Sequence, residues 1–319
     1  MFTLGIDVAK DTLDAALFDG AKYKTKTFRN THAGIQSLLE WVDHHHAGRC
    51  AVGLEATGSY SEAVACTLHD AGHPVSVINP AQIAAFVRAE LGRSKTDTLD
   101  AKRIARFTAL HSPPQWSPPP QAIRVLQALV RRLDSLLDLQ QQENNRLHTA
   151  HPSVQDSIRA VIDALQVQID DLRQRIRDHV DQDPELRQRR DLLESIPGIA
   201  ERTSAVLLSH VHILDRCRCV KKWIAYAGLD CTIVQSGSSV QRTGHISKRG
   251  PAALRAALYM PAVVAMRHNP ILSAFAGRLR TAGKPGRVTI CAVMRKLMHI
   301  VYGVLRSRKP FSSTPVAAM

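Results

Sequence analysis

The chain has 319 residues, room for two domains and a connector, and its 42 Lys+Arg against 28 Asp+Glu leave a formal charge of +14. That surplus suits a polyanionic partner, since each neutralised phosphate releases condensed counterions; an anionic membrane surface is the other class it fits. No stretch approaches the roughly 18 apolar residues of a bilayer span, the start Met1-Phe2-Thr3-Leu4-Gly5 enters a strand rather than a leader, and six scattered cysteines form neither a disulfide scaffold nor the CxxC pairs of a zinc site, so a soluble, unexported, cytoplasmic chain with reduced thiols and no membrane contact is expected.

Residues 3–9, 12–18 and 22–28 alternate as strands joined by hairpins, and an amphipathic helix follows around 35–45. An apolar strand at 50–55, a helix near 61–71, a strand at 74–78, a helix at 81–89 and, past a basic loop, a helix from about 98 to 110 complete this part. The order βββαβαβα is that of an α/β ribonuclease-H-like (RuvC-like) fold. His44-His45-His46, at a helix end, reads as solvated rather than as a ligand set.

Ser112-Pro113-Pro114-Gln115-Trp116-Ser117-Pro118-Pro119-Pro120 cannot continue a helix, and it sets a linker at 112–120 after a first domain at 1–111. Residues 121–189 are helical. There Ile158, Ile162, Leu165, Ile169, Leu172 and Ile176 recur at steps of four and three, either as the seam of a parallel coiled coil between two chains or as one side of an antiparallel hairpin with the helix at 123–147. A mainly α domain at 190–309 with basic loops and a tail at 310–319 end the chain.

Four carboxylates stand out. Asp7 lies on the first strand and Glu55 ends the fourth, which neighbours the first in this fold. Asp97 and Asp100 are three apart at a helix start and project from one face. Hard oxygen donors gathered in this way suit Mg²⁺, with Mn²⁺ as substitute, and two such ions activate an attacking oxygen and stabilise a leaving one in phosphoryl transfer. The plainer reading is that Asp97 caps the helix and Asp100 answers its dipole. Arg93, Lys95 and Lys102 flank the pair and suit phosphates.

In the last domain, Ser195-Ile196-Pro197-Gly198-Ile199 before a helical run at 203–208 has the form of a helix-hairpin-helix turn, in which Gly198 offers backbone N–H groups to a phosphate; a turn used only for packing looks the same. Gln235-Ser236-Gly237-Ser238-Ser239-Val240 precedes Arg242, His245, Lys248 and Arg249, and then a helix from Pro251. Small residues admit a nucleic-acid backbone and the cations suit a phosphorane-like transition state, but spacing alone marks Ser236 only as one serine of a Gly/Ser loop. Lys284, Arg287, Arg295 and Lys296 read as phosphate contacts or solvated faces.

Taken in order, Gly5-Ile6-Asp7, Leu54-Glu55-Ala56-Thr57-Gly58, Asn79-Pro80, Lys95-Thr96-Asp97 to Asp100-Ala101, Ile196-Pro197-Gly198-Ile199, Tyr226-Ala227-Gly228-Leu229 and Ser236-Gly237-Ser238-Ser239 span nearly the whole chain. Together they resemble the IS-one-ten family of insertion-sequence transposases, the bridge-RNA-guided recombinases. The resemblance implies a RuvC-like domain whose Asp-Glu-Asp-Asp metal set falls on Asp7, Glu55, Asp97 and Asp100, and a C-terminal transposase domain whose serine nucleophile falls on Ser236, forming a covalent phosphoserine with DNA. It further implies donor and target DNA, a structured noncoding guide (bridge) RNA, and a nucleoid-associated homo-oligomer, a dimer or tetramer, with the serine of one subunit serving the metal domain of another. Two rivals stand beside it: a metal-only junction nuclease whose serine loop merely binds, and a non-enzymatic nucleic-acid scaffold.

Overall fold

The computed structural model describes residues 2–45, 48–56, 58–89, 97–236 and 240–312; the side chains at Ser59, Asp97, 233–236 and 240–243 stand outside that description. Two units follow one another, Met1–Pro118 and Pro119–Met319, and they meet inside the proline run.

Strict alternation makes the first sheet. β1 (Thr3–Val8), β2 (Thr12–Phe18) and β3 (Tyr23–Arg29) form an antiparallel meander, followed by α1 (His32–His44), β4 (Ala51–Glu55), a 3-10 turn at Gly58–Tyr60, α2 (Glu62–Asp70), β5 (Val75–Ile78), α3 (Pro80–Ala89) and α4 (Asp97–His111). The strand order is β3-β2-β1-β4-β5, with β4 and β5 parallel to β1. This is the ribonuclease-H-like arrangement expected from the order of elements.

Period-two geometry then divides the faces. Leu4, Ile6 and Val8 enter one core with Ile35, Leu38 and Val42 of α1 and Val64 and Leu68 of α2. The opposite face carries Gly5 and Gly53, where α4 sits directly on the strands. Helix starts follow their local chemistry: Thr31 accepts a bond from Gly34 N at 3.2 Å to cap α1, and Asn79 accepts one from Ala81 N at 2.9 Å beside Pro80, which opens α3.

The second unit begins with α5 (Gln121–Thr149) and α6 (Pro152–Gln182), joined by only two residues. His179 Nε2 bonds Ala122 O at 2.8 Å and Gln140 Nε2 donates to Gln166 Oε1 at 2.9 Å, contacts that fix an antiparallel register. Ile169, Leu172 and Ile176 are buried with Ile123, Leu126, Val130 and Leu133, so this part of the seam is used within one chain, while Ile158, Ile162 and Leu165 are half-buried. A coiled coil between chains is not what these contacts build.

Beyond it come α7 (Pro184–Glu194), α8 (Glu201–Ser209), α9 (Val211–Arg216), α10 (Val220–Tyr226), β6 (Cys231–Ser236), β7 (Val240–Ile246), α11 (Ala252–His268), α12 (Pro270–Thr281) and α13 (Gly286–Ser307). The antiparallel β6–β7 hairpin was not expected, since the serine cluster reads as a loop. The β-branched run Thr232-Ile233-Val234 before it supplies the strand.

α13 corrects one expectation: by length and composition this helix is apolar enough to cross a membrane, the one such case among the described residues. Its Val293, Leu297, Met298 and Val301 lie in the core of the unit, and Arg295 and Lys296 interrupt the opposite side, as in the central helix of a folded domain. The cysteines are thiols, none of them in a disulfide among the described residues.

Candidate functional site

Ile6 of β1 pairs with Leu54 of β4, so the next step along these parallel strands brings Asp7 beside Glu55, both half-buried. Gly5 stands two residues before Asp7 and shares its face. A Cβ on Gly5 would lie 2.2 Å from Ala101 O and 2.3 Å from Ala105 N, so only glycine lets α4 approach. Gly53 repeats the device on β4, where a Cβ would fall 2.0 Å from Thr108 Oγ1.

The sheet-facing stripe of α4 is Ala101, Ile104, Ala105 and Thr108. Positions 97 and 100 extend that stripe by one turn toward the helix start. Asp100 accepts from Arg103 Nη1 at 2.8 Å, and both side chains are mostly buried, which fixes this carboxylate on the helix. The Asp97 side chain, Arg93 and Lys95 lie outside the described residues. Lys102 stands with its Nζ 5.9 Å from the Tyr23 ring centroid, next to β3. Among the described residues no three or more His, Cys, Asp or Glu side chains lie close enough to hold a metal ion.

Two residues not foreseen belong here. Asp14 of β2 is the register partner of Asp7 and lies on the same face, with Thr27 Oγ1 donating to it at 2.5 Å. Counting outward from the turn closed by Ala9 N to Thr12 O gives this pairing, so the signal was present in the hairpin. Asn30 donates to Ala9 O at 2.9 Å and to Tyr60 O at 3.2 Å, tying together the loops that follow β1 and β4. A single asparagine between strands gives no such signal.

In the second unit Ser236 closes β6 opposite Val240. Its side chain is not described, nor is that of Arg242; Gly237, Ser238 and Ser239 lie outside the described residues. The base of this hairpin is held tightly. Gly228 (φ +67°) meets the Lys248–Arg249 backbone, and a Cβ on Gly250 would fall 1.9 Å from Tyr226 O. Arg255 Nη1 donates to Gly250 O at 2.7 Å and Ala227 O at 3.2 Å, and Ser247 Oγ donates to Asp230. His245, Lys248 and Arg249 are exposed around this frame.

Gly198 has φ +103°, and a Cβ there would lie 2.8 Å from Pro261 O of α11, so its turn is packed against a helix. The Tyr226 hydroxyl of the Tyr-Ala-Gly-Leu motif shares a hydrogen bond with His210 Nδ1 at 2.8 Å. Burial, then His212 and Arg131, hold the His210 imidazole down at about 4, and burial pushes the Tyr226 hydroxyl well up.

Comparison with known proteins adds the family. A DEDD-type model described as "Transposase" matches residues 4–151, and one described as "Transposase IS116/IS110/IS902 family" matches residues 190–276. The "pilin gene-inverting protein" of Moraxella bovis is 34% identical over 97% of both chains, and that of Moraxella lacunata matches to the same extent. An insertion-element IS110 protein of Streptomyces coelicolor is 29% identical over 36% of this chain and 28% of its own. Among solved structures, "T. thermophilus RuvC in complex with Holliday junction substrate" aligns over 35% of this chain and 94% of its own at 17% identity and a TM-score of 0.28; the strand order, not that low score, defines the fold. With relatives alike over nearly the full length and both domain models matched in order, the chain belongs to the IS110 family of transposases.

Proposed function

We propose that this transposase cuts and rejoins DNA through a covalent phosphoserine on Ser236, with Asp7, Glu55, Asp97 and Asp100 as its metal-holding carboxylates. The observation that carries the reading is the adjacency of Asp7 and Glu55 at the ends of parallel strands, under a helix that begins on Asp97 and is held against β1 at Gly5. Four hard oxygen donors fit Mg²⁺ or Mn²⁺, and what such an ion supplies when bound is charge neutralisation at the attacked phosphate.

The chain's own groups do the rest. The Ser236 Oγ–P bond forms as a P–O ester bond of the DNA breaks; the serine proton passes to a carboxylate, and the released deoxyribose oxygen takes up a proton to leave as a hydroxyl. Attack by the hydroxyl of the exchanged strand reverses these steps, so the cut is rejoined without an added energy source. The name of the Moraxella relatives, gene inversion, supports rejoining over cutting alone. Arg93, Lys95, Lys102, Arg242, His245, Lys248 and Arg249, with the backbone at Gly198, are the proposed phosphate contacts. Donor and target DNA, a structured guide RNA and a homo-oligomer that brings both groups to one phosphodiester complete the reading, in a cytoplasmic, nucleoid-associated setting; the +14 charge supports polyanionic partners.

Covalent trapping tests it. Wild-type protein with Mg²⁺, the noncoding RNA transcribed from the element's flank and element-end DNA is expected to give a protease-sensitive DNA adduct that Ser236→Ala abolishes and Asp7→Ala or Asp97→Ala reduces at least a hundredfold. Cleavage that survives Ser236→Ala sinks the serine step and leaves a metal nuclease; cleavage that survives both Asp variants sinks the metal set.

A further inference from the structure

A cavity of about 560 Å³ lies in the second unit between the base of the β6–β7 hairpin and α13. Leu229, Phe275, Val288 and Ala292 give it an apolar lining. On α13 the spacing 288, 292, 295, 299 puts these positions on one face, which carries apolar residues first and then Arg295 and His299. Arg287, Arg295, Lys296 and His245 make the rim, and no carboxylate lines the cavity among the described residues. Burial first, and then Lys296 and Arg295, hold the His299 imidazole below its ordinary range.

An apolar lining of this volume beside Arg287, Arg295 and Lys296 matches one ligand chemistry: a flat heteroaromatic group attached to anionic phosphates. β6 runs from Cys231, in the cavity wall, to Ser236, so cavity and serine are separated by one strand, roughly 16 Å at 3.3 Å per residue. From this placement we infer that the cavity receives one unstacked base of the DNA strand a few nucleotides from the phosphate bonded to Ser236, with Arg287, Arg295 and Lys296 on the adjoining phosphates. The inference rests on the reading of Ser236 as the residue that holds that strand. Drawing one base out of the stack fixes the register of a flexible single strand at the serine.

Two thiols of the cavity, Cys231 and Cys291, make it measurable without mutation, and exposed Cys219 lies outside it as a control. The full-length protein is alkylated with iodoacetamide and read by mass spectrometry, alone and with a ten-nucleotide oligothymidine, an oligouridine or an abasic strand of equal length. Oligothymidine is expected to slow Cys291 labelling about tenfold, the abasic strand to leave it near the free rate, and Cys219 to be indifferent to both. In a second arm Ala292→Trp fills the cavity and is expected to weaken oligothymidine binding about tenfold with the salt slope unchanged.

Equal protection by the abasic strand, no protection at all, or unaltered binding by a folded Ala292→Trp overturns the inference, as does protection by oligouridine but not by oligothymidine, which assigns the cavity to RNA. If Ala292→Trp does not fold, the alkylation arm decides alone. A footprint without a Ser236 adduct sinks the cleavage reading and spares the cavity; an adduct without a footprint sinks the cavity and spares the cleavage.

Discussion

Gly5 of β1 and Ala101 of α4 are in backbone contact: a Cβ on Gly5 would stand 2.2 Å from the Ala101 carbonyl oxygen. Gly5→Ala therefore displaces the helix that begins on Asp97 and carries Asp100, and shifts both relative to Asp7. Overpacking of this kind costs about 1–3 kcal/mol, and a misplacement near 1 Å costs on the order of a hundredfold in rate. Gly5→Ala is expected to stay folded with a lowered thermal midpoint while adduct formation falls far more than stability. Parallel melting curves and trapping assays check this, and an active, displaced-helix variant refutes the idea that α4 positions the site.

Asp14 gives the second prediction. Directly opposed like charges on one face of an antiparallel pair repel by roughly 0.2–1 kcal/mol, and Asp14 faces Asp7 in this way. Asp14→Asn is expected to raise the melting temperature of metal-free protein slightly and to reduce the further rise produced by millimolar Mg²⁺. Melts with and without MgCl₂ separate the two effects. An unchanged Mg²⁺ response assigns Asp14 only to its bond with Thr27.

Most of the first unit was legible in the sequence because its signals are local. Alternation at Leu4, Ile6 and Val8 and the apolar spacing of Ile35, Leu38 and Val42 give strands and helices without tertiary information. Asp7 beside Glu55 followed from strand order. Partnerships made across sequence distance were hidden: Asn30 reaching Ala9 and Tyr60, and Arg255 reaching Ala227 and Gly250. The periodicity of Ile169, Leu172 and Ile176 suited either partner, and only packing against Ile123 and Leu126 chose one. The β6–β7 hairpin was missed because Gly and Ser at its tip read as loop whatever the flanks do.

Arg255 supports the third prediction. One guanidinium nitrogen reaches the carbonyls of Ala227 and Gly250, joining the turn before β6 to the segment after β7. A lysine ammonium sits on a shorter stem and is more strongly hydrated, so it does not hold both carbonyls in this geometry, and a carbonyl left without its donor costs about 1–3 kcal/mol. Arg255→Lys is expected to keep global folding, to raise amide exchange in β6 and β7, and to lower adduct yield. Exchange that changes uniformly over the unit, rather than in the hairpin, counts against a local staple.

The histidines give a pH dependence whose sign is fixed by burial. Desolvation first, then neighbouring positive charge, holds both His210 and His212 at about 4 against an ordinary 6.5. Between these values the unfolded chain binds protons that the folded chain refuses, so stability is complete above pH 6.5 and falls as the pH drops toward 4. For His210 the loss is on the order of 3 kcal/mol. Carboxylates also titrate near the lower limit, so the diagnostic is the difference between proteins. His210→Gln is expected to start less stable at pH 7.5, having disturbed the bond with Tyr226, but to lose less between pH 6.5 and 4.5 than wild type in urea unfolding. His212 Nδ1 is buried with no hydrogen-bond partner among the described residues, so His212→Gln is expected to flatten the same window with a smaller initial loss. Parallel curves for all three proteins would show that neither imidazole is the group that acid must charge.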